Sequence, residues 1–178
     1  MLANYLATGA HLSGRAFSEL KASYVTRGTT CFNLGGLLGT LLTIPVATRL
    51  GRRPMFLLYY SLGALAILAT FGLPLTPETR LLMMFTVGLT VFGVFGSFTF
   101  YLPELFPVRL RGTGAGFCYN AGRVITSAFP AIIGLVRSSG ANPGSVLVWV
   151  ALAPIIGVVL TLCGVGVETR NLDPDALA

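Results

Sequence analysis

Five apolar runs, each at least 20 residues long, dominate this chain of 178 residues. They cover residues 29–48, 55–75, 81–102, 112–136 and 145–167. An α-helix needs about 20 apolar residues to cross the roughly 30 Å hydrocarbon core of a bilayer. Because lipid offers no hydrogen-bond partner to exposed backbone groups, these runs are expected to be helical. The sequence therefore predicts an all-α, polytopic membrane helix bundle with five full transmembrane helices.

The composition supports a membrane protein and argues against a nucleic-acid partner. The chain is 54% hydrophobic and only 10% charged, and its mean hydropathy is +0.80. Soluble domains are typically about a quarter charged. The net charge of +6 comes from basic residues at the ends of apolar runs, and no basic face with exposed aromatic residues is present. The lipid bilayer is the expected surrounding.

Polar connections between the runs predict how the chain is threaded. Residues 1–28 are assigned to the end of a preceding span and an extracytoplasmic loop, residues 29–170 to the five-helix bundle, and residues 171–178 to a cytoplasmic tail. Arginines are more frequent in the connections 49–54 and 103–111 and after the last run than in the opposite connections. The positive-inside rule places that side in the cytoplasm, although the N-terminal segment reduces the excess to six basic residues against five.

Arg123 is the one charged residue inside the fourth run, whose other 24 residues are uncharged. At roughly 1.5 Å per helical residue, it lies about 18 Å from Arg111, close to the bilayer midplane. A charge at that depth costs about 3 kcal/mol on insertion scales and usually faces a bundle interior or a hydrated pathway. This predicts binding of a polar, anionic solute. The alternative is a structural partner, such as a carbonyl group or an acid elsewhere.

Small and polar residues recur at helical spacing in two of the runs. They are Thr86, Thr90, Gly93, Ser97 and Tyr101 in the third run, and Gly116, Asn120, Arg123 and Ser127 in the fourth. Such spacing places each set on one helical face, so the two faces are predicted to line a shared cavity. Arg123 would contact the anion, and Asn120 and Tyr119 would donate hydrogen bonds. Thr90 and Ser97 are predicted wall residues. Alternatively, the hydroxyl groups bond local carbonyl oxygens and the small residues permit close helix packing.

No constellation of residues predicts an enzyme, a metal site or a cofactor. His11 is the only histidine, which excludes a histidine cluster. Cys31, Cys118 and Cys163 lie in apolar runs and form no CxxC pair, so they are read as small buried side chains. The glycine-rich segment 112–116 does not complete GxGxxG, and no strand precedes it. We therefore expect no catalytic residues.

Two segments of the chain resemble the major facilitator superfamily of transporters. They are Arg49-Leu50-Gly51-Arg52-Arg53-Pro54 and the stretch YLPELFPVRLRGTG at 101–114, which continues as GFCYNAGR at 116–123. Glu168-Thr169-Arg170 is similar to the motif that closes the last span of sugar porters. The chain looks most similar to the C-terminal half of metabolite:proton symporters, a branch related to the sugar porters. The resemblance implies spans eight to twelve of a twelve-span protein, hence an incomplete major facilitator fold.

The resemblance implies proton-coupled uptake of a small organic anion by alternating access in a bacterial inner (plasma) membrane. The missing N-terminal half, spans one to seven, would be needed for function, and family members commonly place the proton-coupling acids there. A charge network that stabilises the outward-facing state would comprise Arg49, Arg52, Arg53, Glu104 and Arg111. Thr48 replaces an acid that the family usually carries, and Ile44 replaces a glycine. The alternative is a truncated, non-transporting membrane protein that associates with a partner.

Overall fold

The computed structural model describes residues 15–138, 150–164 and 168, and in these ranges every regular element is helical. The elements are α1 (Arg15–Leu50), α2 (Arg52–Gly72), α3 (Pro77–Glu104), a 3₁₀ turn (Val108–Leu110), α4 (Arg111–Thr126), α5 (Phe129–Ser138) and α6 (Leu152–Leu162). Helices α1, α2 and α3 are long and apolar enough to cross a membrane. The predicted all-α membrane helix bundle is confirmed.

Helices α1 and α3 contain the first and third predicted spans, and α2 covers the second except for residues 73–75, whereas the last two are divided or described only in part. The fourth run is split into α4 and α5 at Ser127 and Ala128. Pro130 follows this break, and a proline has no N–H to donate to the preceding turn, so it favours a new helix start. Helix α6 covers the middle of the fifth run, and residues 145–149 and 165–167 lie outside the described residues. Five complete spans therefore stay a prediction.

Helix α1 begins well before the first predicted span. Its 36 residues correspond to about 54 Å of helix, more than the roughly 30 Å apolar core of a bilayer. The early residues Glu19, Leu20 and Lys21 are good helix formers, so the helix continues through a polar stretch. Residues 15–28 are thus continuous with the first span. Residues 1–14 lie outside the described residues, and the extracytoplasmic position of this segment stays a prediction.

Helix α3 is the central element, packed against α1 along much of its length and also against α2 and α4. The approach of α1 to α3 depends on glycine. A Cβ atom at Gly35 or Gly39 would overlap the carbonyl oxygen of Phe85 or Leu89, and one at Gly88 would overlap that of Phe32. Such close contact is the use that membrane helices make of small residues at four-residue spacing. It fixes the position of α3, whose other side carries the cavity described next.

Candidate functional site

An open cavity of about 260 Å³ lies between α3 and α4. It is lined by Phe95, Phe98 and Leu102 of α3 and by Cys118, Tyr119, Gly122, Arg123 and Thr126 of α4. The α3 side is entirely apolar, and the α4 side carries the polar groups. The structure thus places Arg123 in the wall of a cavity, next to Tyr119.

The Arg123 side chain is exposed and lies against an aromatic ring. Its guanidinium carbon is 5.8 Å from the centroid of the Tyr119 ring, within the range of a cation–π contact. The ion pair recorded among the described residues joins Arg52 to Glu104 and does not involve Arg123. A guanidinium that stacks on a ring still presents N–H donors at its edge. Arg123 can therefore offer donors to an anion in the cavity.

Asn120 lies outside the lining of this cavity. Its Nδ2 donates a hydrogen bond to the carbonyl oxygen of Gly116, at 2.8 Å, on the same helix. The side chain is exposed on the face of α4 that adjoins Arg123. Of the two predicted helpers of Arg123, the structure brings Tyr119 to the cavity and leaves Asn120 beside it.

Thr90 and Ser97 do not line the cavity. They are only 1% and 0% exposed, and their hydroxyl groups donate to carbonyl oxygens of α3, to Val87 at 3.0 Å and to Val94 at 2.6 Å. Their face is packed: the Thr90 side chain lies close to Gly63 of α2, and the ring of Tyr59 lies against Gly93. The prediction that this stripe shares a cavity with Arg123 does not fit the geometry. Small hydroxyl side chains that bond their own helix allow close packing, which was the alternative.

The residues that sequence reasoning missed lie on the other side of α3 and along α4. Phe95, Phe98 and Leu102 are spaced by three and four residues, and so form a face of their own. Cys118 and Thr126 fall at intervals of four around Gly122, beside Arg123. Helical spacing from Arg123 could have found the α4 residues. The sequence of the apolar α3 face does not distinguish a cavity wall from a lipid-facing surface.

A charge cluster lies at one end of the bundle, where α1 and α3 end and α2 begins. Arg52 forms a two-point ion pair with Glu104: Nε donates to Oε2 at 3.2 Å, and Nη2 donates to Oε1 at 2.6 Å. The side chains are 15% and 30% exposed. Arg52 also donates from Nη1 to the carbonyl oxygen of Ala47 at 3.3 Å and lies over the Phe100 ring. One side chain therefore connects the ends of three helices.

Glu168 completes this charge cluster from the far end of the chain. Its carboxylate accepts the backbone N–H groups of Arg52 and Arg53, at 2.9 and 3.0 Å, at the first turn of α2. Unpaired N–H groups and the helix dipole favour a negative charge at that position. Gly51, just before α2, has φ of 98°, and a Cβ there would lie 2.9 Å from Glu168 Oε2. Glu168 is not among the residues that were predicted to form the charge network.

The other predicted network residues make different contacts. Arg53 donates from Nη2 to the carbonyl oxygen of Thr161, at 3.1 Å, and so ties α2 to α6. Arg111 donates from Nε to the carbonyl oxygen of Phe106, at 3.3 Å, close to its own position in the chain. Arg49 lies in the last turn of α1. The structure brings Arg52, Arg53 and Glu104 into one cluster with Glu168, and a gating role for the set of five stays a prediction.

Comparison with known proteins identifies the family. The family model "Sugar (and other) transporter" matches residues 12–173, and the chain belongs to this family of the major facilitator superfamily. A cis,cis-muconate transport protein of Acinetobacter baylyi is 32% identical over 167 residues, which is 90% of this chain and 37% of that protein. The inner membrane metabolite transport protein YhjE of Escherichia coli is 32% identical over 144 residues, 76% of this chain and 32% of YhjE.

A third relative, from Cupriavidus pinatubonensis, is described as a probable 4-methylmuconolactone transporter. It is 30% identical over 104 residues, which is 58% of this chain and 24% of that protein. No solved structure matches the chain significantly. These relatives are named as transport proteins, and the chain is an integral membrane protein. It spans between 24% and 37% of the length of these relatives.

Proposed function

We propose that this chain is the C-terminal part of a secondary transporter that carries a small organic anion by proton-coupled alternating access. The observation that carries the proposal is Arg123, which lies in the wall of an open cavity with an aromatic partner. The family and the names of the relatives support transport of small organic solutes. Muconate is a dicarboxylate, and a guanidinium at membrane depth is a suitable partner for a carboxylate.

The open side of α4 supports a site that is completed by further chain. Phe117 and Val124 are 73% and 71% exposed, and Asn120 and Ser127 are also exposed on this side of the helix. The relatives are about three times as long as the part that this chain matches. In transporters of this kind the solute is held near the midplane between two halves, which rock around it. The remaining spans would form the opposite wall of the Arg123 cavity.

The charge cluster would act as the gate of this transporter. Arg52, Glu104 and Glu168 connect α1, α2 and α3 at one end of the bundle through charge-assisted hydrogen bonds. A partly buried, two-point arginine–carboxylate pair has a defined geometry that is lost when its partners move apart. The cluster, with Arg49, Arg53 and Arg111 around it, would hold this end closed and so stabilise the outward-facing state.

A reconstituted hybrid tests the proposal. The chain would be co-expressed with the part of the Acinetobacter muconate transport protein that precedes the region similar to this chain. The two polypeptides would then be reconstituted together in proteoliposomes. We expect uptake of labelled cis,cis-muconate driven by an inward proton gradient. Uptake should be lost in Arg123→Ala and retained in Arg27→Ala, which removes an exposed arginine of α1.

Three outcomes would count against the proposal. Equal uptake by Arg123→Ala and the unmodified chain would remove Arg123 as the anion contact. Uptake that does not respond to a proton gradient would overturn proton coupling. A hybrid that assembles in the membrane and carries no organic anion at all would overturn transport.

A further inference from the structure

Resting on the proposed transport function, we infer that the Arg123 cavity accepts a carboxylate with a planar, unsaturated or aromatic body, and that the wall formed by α3 and α4 disfavours sugars. The α3 wall carries two phenyl rings, Phe95 and Phe98, whose centroids are 6.0 Å apart with their planes inclined by 75°. The Tyr119 ring lies on the opposite wall, next to the guanidinium. A planar unsaturated body can lie against such rings with favourable offset or edge contacts.

The cavity has few groups with which to bind a polyhydroxylated solute. Apart from the weakly polar thiol of Cys118, the polar side chains of its lining are Arg123, Tyr119 and Thr126. The Thr126 hydroxyl already donates to the carbonyl oxygen of Arg123, at 3.0 Å. A sugar carries several hydroxyl groups, and each one that loses water without gaining a hydrogen-bond partner weakens binding. This wall therefore disfavours a sugar, although the family is named for sugars.

The single cation of the cavity indicates one carboxylate at this end of the solute. A guanidinium can donate two parallel hydrogen bonds to a carboxylate, and the cation–π contact of Arg123 with Tyr119 uses none of its N–H donors. The apolar rings of α3 are placed across the cavity to receive the body of the same molecule. Charge at one end and an unsaturated body at the other are the features that the cavity recognises.

Cys118 provides a reporter of occupancy, because it is exposed and lines the cavity. The full chain would be purified in nanodiscs, and alkylation of Cys118 by N-ethylmaleimide would be followed by mass spectrometry. Cys163, exposed at the end of α6, is the internal control. The probes are benzoate, cyclohexanecarboxylate, benzamide and glucuronate at equal concentration. We expect benzoate to slow the alkylation of Cys118 about fivefold and cyclohexanecarboxylate to slow it less. Benzamide and glucuronate should not slow it, and the alkylation rate of Cys163 should stay the same with every probe.

Each departure from this pattern has a defined meaning. Protection by glucuronate equal to that by benzoate would overturn the planar apolar body and leave the anion contact of the proposed function in place. Protection by benzamide equal to that by benzoate would overturn the carboxylate. If no probe protects Cys118, the inference fails, and muconate uptake by the hybrid would still decide the proposed function separately.

A pair of matched variants tests the aromatic wall itself. Phe95→Leu removes a ring from the cavity and keeps an apolar side chain, whereas Phe117→Leu removes an exposed ring of α4 outside it. We expect Phe95→Leu to weaken about threefold the protection of Cys118 by benzoate. The protection of Cys118 by cyclohexanecarboxylate should not change. Phe117→Leu should change neither. Unaltered protection by benzoate in Phe95→Leu would contradict the inference.

Discussion

At the scale of the residue, Arg123 combines two features that are separable by substitution. One is its positive charge, and the other is a planar fork that lies over Tyr119, with the guanidinium carbon 5.8 Å from the ring centroid. The sequence predicted the depth of the charge from the length of the surrounding apolar run. The contact with Tyr119 depends on side-chain rotamers, which residue spacing does not determine.

We expect Arg123→Lys to separate these features. Lysine keeps the charge and loses the fork that binds a carboxylate at two points. In the hybrid transporter, KM for muconate should rise about tenfold, while Arg27→Lys should leave it unchanged. A KM equal to that of the unmodified chain would show that charge alone is sufficient. Initial uptake rates over a range of muconate concentrations provide the measurement.

Ser97 shows why helical spacing alone does not distinguish a cavity wall from a packed helix face. A stripe of small and polar residues on a membrane helix has the same spacing whether it lines a cavity or packs against a neighbouring helix. In lipid, apolar side chains can face outward or line a cavity, and small hydroxyl residues allow two helices to approach. Periodicity therefore defined the face that contains Thr90 and Ser97, and the contacts with α2 decided its role.

The packing role of Ser97 leads to a second prediction at this scale. Its hydroxyl donates within α3, so Ser97→Ala should leave uptake unchanged and shift the free energy of unfolding by less than about 1 kcal/mol. Ser97→Leu should overpack a site that is 0% exposed and destabilise the protein by about 1–3 kcal/mol. Thermal unfolding in detergent would compare the two. Loss of muconate affinity in a stable Ser97→Ala protein would restore Ser97 to the binding site.

At the scale of the element, the start of α2 depends on residues far apart in the sequence. Arg52 and Glu104 are 52 residues apart, and Arg52 and Glu168 are 116 apart. The resemblance to known transporters suggested the first pair, because both residues belong to motifs. The position of Glu168 at the N-terminus of α2 follows from the packing of the helices, which the local pattern does not specify.

Substitution of Glu104 should loosen this end of the bundle. Glu104→Gln keeps a hydrogen-bond acceptor and removes the charge, so the ion pair should weaken by about 1 kcal/mol, or roughly fivefold in population. Ala47→Cys, at a position that is 1% exposed beside Arg52, would report opening through its alkylation rate. We expect faster alkylation with Glu104→Gln and no change with Glu78→Gln, in the first turn of α3. Equal rates would contradict a role of Glu104 in the proposed gate.

Gly51 provides a prediction about the backbone at the same helix start. Its φ of 98° is unfavourable for a side chain, and a Cβ would also crowd the Glu168 carboxylate. Gly51→Ala should therefore lower the free energy of unfolding by about 1–2 kcal/mol. Gly72→Ala, at the last residue of α2 with open space around it, should be neutral or slightly stabilising. Equal melting temperatures of the two variants would argue against strain at Gly51.

At the scale of the whole molecule, the membrane class and the family were accessible from the sequence, and the arrangement of helices was only partly so. Long uncharged runs specify spans because the bilayer sets their length. They do not specify that α1 begins at Arg15 or that the fourth run is divided near Ser127. Helix propensity explains the early start of α1, and a proline explains the division of the fourth run. Both are local effects, and the mean hydropathy of a run does not reveal them.

The exposed side of α4 leads to the last prediction, which concerns assembly. If further spans cover that side, a large side chain there should hinder association. Val124 is 71% exposed. We expect Val124→Trp to lower about tenfold the amount of the upstream muconate-transporter segment that co-purifies with the chain. Leu41→Trp, at a position that is 61% exposed on α1, should have little effect. Since tryptophan is equally large at both positions, a difference between the variants would identify the face that the upstream segment covers, and equal recovery would contradict cover of this side of α4.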